Sequence, residues 1–376
     1  MSALFSPIRI GRQDFANRIA IAPMCQYSAV HGDANDWHLV HLGSLAMSGA
    51  ALLILEATAV EEGGRITHGC LGLYSDENEA ALARTVLFCR KHGSAKLGIQ
   101  LAHAGRKASQ TVPWEGGRAL PPDGDPWPTV AASAIPFGEG WHTPAEATAE
   151  DLDRIAEAFA GAARRAARLG FELVEMHAAH GYLLHQFLSP ISNERRDEYG
   201  GSAENRMRFP LRVFEAIRAA VPDQVAAGAR ITGHDWVEGG IDTAEAASFV
   251  AELKRRGCDY VDVSSGGVSL RSKVEIGPGY QVPFAAEIRR RADIPVMSVG
   301  LIVTPEQAEE IVASGQADMV ALARAALDEP HWAWNAAERL GGTVQRPPQY
   351  ARAAPAVWPG AAYKHAAREP ERAAAE

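Results

Sequence analysis

The sequence predicts an α/β fold, a single (β/α)8 TIM barrel with an N-terminal hairpin cap and a long loop after its third strand. Eight short apolar segments rich in β-formers recur along the whole chain. They are near-continuous hydrophobic runs rather than alternating ones, the pattern of parallel strands buried on both faces. Helical patterns separate them, and 376 residues is a length that one barrel commonly uses. An open doubly wound sheet is the alternative arrangement of the same units.

Taken in order, Phe5–Asn17 reads as a hairpin that plugs the bottom of the barrel. Strands follow at Ile19–Met24, Leu52–Ala57, Leu97–Ala102, Leu173–His177, Ala226–Thr232, Tyr260–Ser264, Val296–Val299 and Met319–Leu322. Helices are expected at Ala149–Leu169, Asn205–Ala220, Thr243–Arg256 and Pro305–Ala313. The last opens on Thr304-Pro305-Glu306, a cap followed by proline at the first helical position. Gly105–Thr148, rich in Gly, Pro and Trp, is too long for an ordinary connection. Its place after the third strand puts it on the C-terminal face, where barrel active sites are built, as a wall or lid. The barrel domain spans 1–348, and 349–376 forms a C-terminal extension rich in Ala and Arg.

Composition narrows the function classes. A net charge of −9 argues against a nucleic-acid partner, which is bound by a surplus of Lys and Arg. Cys25, Cys70, Cys89 and Cys258 form no CxxC pair, so neither a disulfide framework nor an iron–sulfur ligand set is expected. Arg9 and Pro7 stand where a signal peptide needs apolar residues, and no apolar run reaches bilayer-spanning length. A soluble, cytoplasmic protein with no membrane partner is the expectation.

In a barrel, polar residues at C-terminal strand ends read as functional. Cys25 and Tyr27 after the first strand share a side if the extended backbone continues; a buried thiol beside a core aromatic is the plainer reading. Gln100 is an amide in an apolar strand and must be matched, by a ligand with an imide-like edge or by backbone. Arg230 on the fifth strand needs an anionic partner, a carboxylate or an electron-rich cofactor. The fourth strand carries the densest signal, Glu175-Met176-His177-Ala178-Ala179-His180-Gly181-Tyr182. With Gly181 available for a turn, both histidines and Tyr182 can converge on the mouth, the imidazoles as donors and the phenol as general acid. The HxxH spacing also suits a metal, but no third ligand stands nearby. Gly300 and Ala323-Arg324 stand at the two loops where barrels hold a phosphate, which implies a phosphorylated cofactor, phosphosugar or pyridoxal phosphate. No Schiff-base lysine is evident for the last.

Five motifs in order give the chain a family resemblance: Ala22-Pro23-Met24-Cys25-Gln26-Tyr27, Glu56-Ala57-Thr58, Gln100 through Lys107, His177 through Leu183, and Asp197-Glu198-Tyr199-Gly200-Gly201-Ser202 with Glu204-Asn205-Arg206. From about Leu4 to Tyr350 the sequence resembles the old yellow enzyme family, in the branch of bacterial xenobiotic reductases and thermophilic-like ene-reductases. The resemblance implies non-covalent FMN, contacted by Pro23, Met24, Cys25, Ala57 and Gln100, with Arg230 near its pyrimidine end. Gly300, Ala323 and Arg324 match phosphate-binding positions; the family usually has Gly where Ala323 stands. It further implies an NADPH dehydrogenase of the ene-reductase type, in which NADPH or NADH reduces FMN and an activated alkene is then reduced. His177 and His180 would bind the substrate, Tyr182 would protonate it, and Tyr27 would line its pocket. Arg352 resembles a residue that reaches a neighbouring subunit's site in a homodimer or homotetramer, with Trp358 as a further wall. Relatives acting as dienoyl-CoA reductases or amine dehydrogenases carry an iron–sulfur cysteine cluster that this chain lacks. A non-catalytic flavin carrier would not need the acid and two donors.

Overall fold

The computed structural model describes residues 2–363. The chain opens on an antiparallel hairpin, β1 (Ile8–Ile10) and β2 (Gln13–Phe15), turned at Gly11 with φ +56°. The first barrel strand is β3 (Ile19–Ile21), followed by α1 (Asp36–Ala46), β4 (Leu52–Ala59), α2 (Asp76–His92) and β5 (Lys96–Ala102). The long connection after β5 holds only short turns and a two-residue pair, β6 (Val130–Ala131) and β7 (Ala145–Glu146). Then come α3 (Ala149–Leu169), β8 (Leu173–Ala178), α4 (Leu183–Leu188), α5 (Ala203–Ala220) and β9 (Ala226–Thr232). The remainder is α6 (Thr243–Arg255), β10 (Tyr260–Ser264), α7 (Val282–Ala292), β11 (Val296–Ser298), α8 (Pro305–Ala313), β12 (Met319–Leu322), α9 (Arg324–Asp328) and α10 (Trp332–Leu340).

Strands β3, β4, β5, β8, β9, β10, β11 and β12 close into a parallel barrel, which excludes the open sheet. Alternate strand residues face inward. The lower interior is filled by Ala20, Leu52, Leu173, Ala226, Tyr260, Met297 and Met319, on which Ile10 and Phe15 of the hairpin pack. The hairpin is therefore the bottom plug. The outward strand residues, among them Leu53, Ile99, Val174 and Val261, pack with the helices into the larger outer core. Local chemistry fixes the helix ends: Thr148 and Asp151 cap α3 reciprocally, and Gly170 ends it at φ +87°.

Two differences from the sequence expectation have physical causes. The first strand ends at Ile21 rather than Met24, although Ala22 N–H still donates to the Leu322 carbonyl at 2.9 Å. Beyond it the chain leaves the sheet, and Tyr27 reaches φ +51°, so the extended backbone does not continue from Cys25 to Tyr27. In β4 the register with β5 shifts between Leu55 and Ala57, leaving Glu56 as a bulge. That extra residue brings Ala57, not Glu56, opposite the inward Gln100. Residues 364–376 of the expected extension lie outside the described residues.

Candidate active site

The upper interior is asymmetric. Strands β5, β8, β9 and β10 contribute Gln100, Glu175, His177, Arg230, Asp262 and Ser264, whereas the other side has Ala321 of β12, Ala57 of β4, and Val299 and Ala22 just past the ends of β11 and β3. A polar half-ring thus faces a small, apolar one. Gln100 Nε2 donates to Glu175 Oε1 at 2.8 Å, and the Tyr260 hydroxyl donates to Glu175 Oε2 at 2.9 Å. Tyr260 reaches it across Gly228, where a Cβ would lie 2.0 Å from the ring. Arg230 Nε stands 3.1 Å from Asp262 Oδ2, but misaligned: neither that Nε nor either Asp262 oxygen has a protein hydrogen bond. The anionic partner expected for Arg230 is therefore a carboxylate, only half satisfied.

His177, His180 and Tyr182 converge as the sequence suggested. His180 (φ +58°) and Gly181 (φ +73°) turn the chain sharply after β8, and a Cβ on Gly181 would lie 2.2 Å from the Gly267 carbonyl. The His177 ring sits 5.1 Å from that of His180 and 4.9 Å from that of Tyr182, edge-on to both. Ala179 N–H donates to His177 Nδ1 at 3.3 Å, so a neutral His177 carries its hydrogen on Nε2. That atom is 3.4 Å from His180 Nδ1; His180 Nε2 is 2.7 Å from Ser264 Oγ, which donates onward to Gln281 Oε1. Burial, then Arg230, lowers both imidazole pKa values well below their ordinary value. Both rings are neutral at physiological pH. Burial also raises the Tyr182 phenol, with lesser contributions from Cys25 and Cys70, so it stays protonated.

Cys25 and Tyr27 do share a side, through the turn rather than an extended run. Both pack with Trp127 and Tyr182 against Ile66, Cys70, Ala104 and Ala108. The Cys25 thiol is pushed up by burial first and Glu56 second, and remains protonated. Glu56, aimed by its bulge, accepts the Gln26 N–H at 3.0 Å and so holds the Met24–Tyr27 segment. Burial raises its carboxyl to about 8.

Arg230, Ser264, Gly300, Ala323 and Arg324 line one cavity of about 350 Å³. Gly300 is at φ +117°, where a Cβ would crowd Gln281 Nε2 at 2.6 Å. The two strand-end loops expected to hold a phosphate therefore open on the same space as the half-satisfied Arg230. A larger cavity of about 650 Å³ lies between the end of α10 and residues 341–362, and is lined by none of these. Arg352 is exposed on a short turn whose Tyr350 packs on Trp334; among the described residues no hydrogen bond or ion pair joins it to the histidines. Trp358 is 45% exposed on the same segment.

Several groups carry no assignment from sequence. Glu175 and Asp262 lie in apolar strands, and the rule applied to Arg230 would have singled them out. Lys107 Nζ donates to the carbonyls of His180 (2.8 Å) and Gly267 (3.1 Å) and lies 5.0 Å from the Tyr182 ring centre. Burial and Arg106 lower its ammonium to about 7. Gly181 N–H donates to His185 Nδ1 at 2.8 Å, and His185 Nε2 is 3.0 Å from Asp235 Oδ1. Both anchor the turn that carries Tyr182. The Asp197–Arg206 stretch is structural: Arg206 Nε donates to the Leu188 carbonyl at 2.7 Å, tying α5 to the end of α4.

Comparison with known proteins adds to this geometry. A family model described as the NADH:flavin oxidoreductase / NADH oxidase family matches residues 3–341. The NADPH dehydrogenase of Geobacillus sp. (strain WCH70) is 43% identical over 351 residues, covering 93% of this chain and 98% of that one. The NADPH dehydrogenase of Listeria innocua is 44% identical over 355 residues, covering 94% and 99%. Morphinone reductase in complex with tetrahydroNAD superposes with a TM-score of 0.74 at 28% identity, over 92% of this chain and 93% of that one. A 2-naphthoyl-CoA reductase complex shares the fold at TM-score 0.81 and 24% identity, over 90% of this chain and 52% of that one.

Proposed function

The chain belongs to the NADH:flavin oxidoreductase / NADH oxidase family, and we propose that within it this protein is an ene-reductase for activated alkenes. It is an NAD(P)H-dependent flavin oxidoreductase whose cofactor is FMN. The residues present fit that group: a buried guanidinium short of hydrogen bonds, a Gly300 cradle that a Cβ would fill, and Arg324 beside it. In this reading Gly300, Ala323 and Arg324 hold the phosphate, while Pro23, Met24, Cys25, Ala57 and Gln100 hold the ring. Arg230 faces the end of the ring that becomes negative on reduction. Bound FMN supplies the hydride acceptor for NAD(P)H and the hydride donor for the alkene.

The substrate is an α,β-unsaturated aldehyde or ketone, a maleimide or a nitroalkene. Its oxygen takes the Nε2 hydrogen of His177, which a 3.4 Å contact with His180 holds only weakly, and a hydrogen of His180 released from Ser264. Those bonds draw electron density from the β-carbon. Tyr182 then delivers its hydroxyl proton to the α-carbon. The observation that carries the reading is the convergence of two neutral imidazoles and one protonated phenol on the barrel mouth. Tyr27 lines the same pocket. Arg352, exposed in one chain, would enter a neighbouring subunit's mouth in a homodimer or homotetramer. Purified protein should be yellow, bleach anaerobically with NADPH and recolour with cyclohexenone. Failure to bleach with either nicotinamide would end the reductase reading.

A further inference from the structure

The polar half-ring holds more negative than positive charge. Glu175 and Asp262, both fully buried, face one interior with Arg230. Arg230 lies 3.1 Å from Asp262, and Glu175 sits one inward layer below on the neighbouring strands, where Asp262 disfavours its ionisation and Arg230 favours it. The other titratable groups facing them do not alter the count. Burial holds Tyr260 and Cys258 protonated from below, and His177 and His180 neutral from above. Gln100 and Tyr260 donate to Glu175 and carry no charge. Two carboxylates with one guanidinium in a dry interior leave one uncompensated charge, which a single bound proton removes. Burial raises both carboxyls and Arg230 opposes it, with Glu175 brought up to about 7 and Asp262 held above its ordinary value.

We propose that Glu175 and Asp262 act as a redox-linked proton site, taking up one proton from solvent when the bound cofactor gains negative charge. The inference rests on the reading that FMN sits above Arg230. NAD(P)H passes a hydride, two electrons with one proton, to FMN and leaves as NAD(P)+. The cofactor gains one negative charge, which draws on Arg230 and so weakens its hold on the carboxylates. A solvent proton then bonds to a carboxylate oxygen of the pair, and the interior returns to its former charge. When the cofactor is reoxidised the O–H bond breaks and the proton returns to solvent. Glu175 and Asp262 touch no reacting atom in this scheme; they compensate charge through Arg230.

The test is the pH dependence of the FMN midpoint potential in the holoenzyme, for the native protein, Glu175→Gln and Asp262→Asn. For a two-electron couple each extra proton adds about 30 mV per pH unit to the slope. The native protein should show that extra slope across neutral pH, and both variants should lose it. The number of protons taken up per FMN on anaerobic photoreduction, followed with an indicator dye in weak buffer, should fall by one in either variant. This second readout needs only one of the two variants to fold. Equal slopes and equal proton uptake in native protein and variant would overturn the proposal, including the case in which the cofactor itself takes the second proton. A native protein that never binds FMN would instead defeat the reading beneath it.

Discussion

At the scale of the residue, the proposed roles, holding by His177 and His180 and protonation by Tyr182, separate in kinetics. Tyr182→Phe keeps the ring that packs on His177 but removes the hydroxyl proton. It should slow alkene reduction roughly 10²–10⁴-fold while leaving reduction of FMN by NADPH largely intact, as resolved by anaerobic stopped-flow. The double change His177→Ala and His180→Ala should weaken phenol binding, read from the flavin spectrum; an unchanged titration would remove their role. These three residues were legible from spacing alone, because Gly181 announced the turn. Their partners were not. Ser264 at the end of β10 and Lys107 after β5 both meet His180, 84 and 73 positions away, and no local pattern pairs them.

At the scale of the element, strands were readable where the apolar run alone sets their length, and the end of the first strand was not. Ala226–Thr232, Tyr260–Ser264 and Met319–Leu322 fall where their apolar runs place them. The first strand is shorter than its hydrophobic run, because tertiary bonding turns Pro23–Tyr27 across the mouth. The bulge at Glu56 was hidden, since register is a property of a strand pair. Its consequence is testable through pH. An unfolded Glu releases its proton near 4.3, whereas Glu56 keeps it to about 8, so its contribution to stability is complete below pH 4.3 and is lost as pH rises toward 8. Glu56→Gln should therefore gain urea resistance relative to native protein over that range, by up to about 1.4 kcal/mol per pH unit. A constant difference at all pH values would show that Glu56 is ionised in the fold. The hairpin gives a second case. Phe15 is fully buried against the barrel bottom, so Phe15→Ala should cost about 3–5 kcal/mol in denaturation while leaving the KM for alkene unchanged.

At the scale of the whole molecule, closure of the barrel is what turns scattered strand ends into one site. Cys25, Gln100, His177, Arg230 and Arg324 come from five different strand ends, and only a closed ring brings them to one mouth. Eight β-then-α units point to the barrel, with an open doubly wound sheet as the alternative, and the pairing of β12 with β3 decides for closure. The extension beyond residue 348 lies outside those eight units, and among the described residues no hydrogen bond or ion pair joins Arg352 to the mouth of its own chain. Sedimentation should therefore find a homodimer or homotetramer, and Arg352→Ala should raise the KM for alkene; a monomer with full activity would free Arg352 of any role. The central claim, a reductase with Tyr182 as acid above FMN, is met most directly by one experiment. Protein reduced anaerobically with NADPH is mixed with cyclohexenone, and the return of yellow absorbance is timed for native protein and Tyr182→Phe. Rapid return in the native protein with a slowing of at least a hundredfold in the variant is predicted. Equal rates in the two, or no return in either, would contradict it.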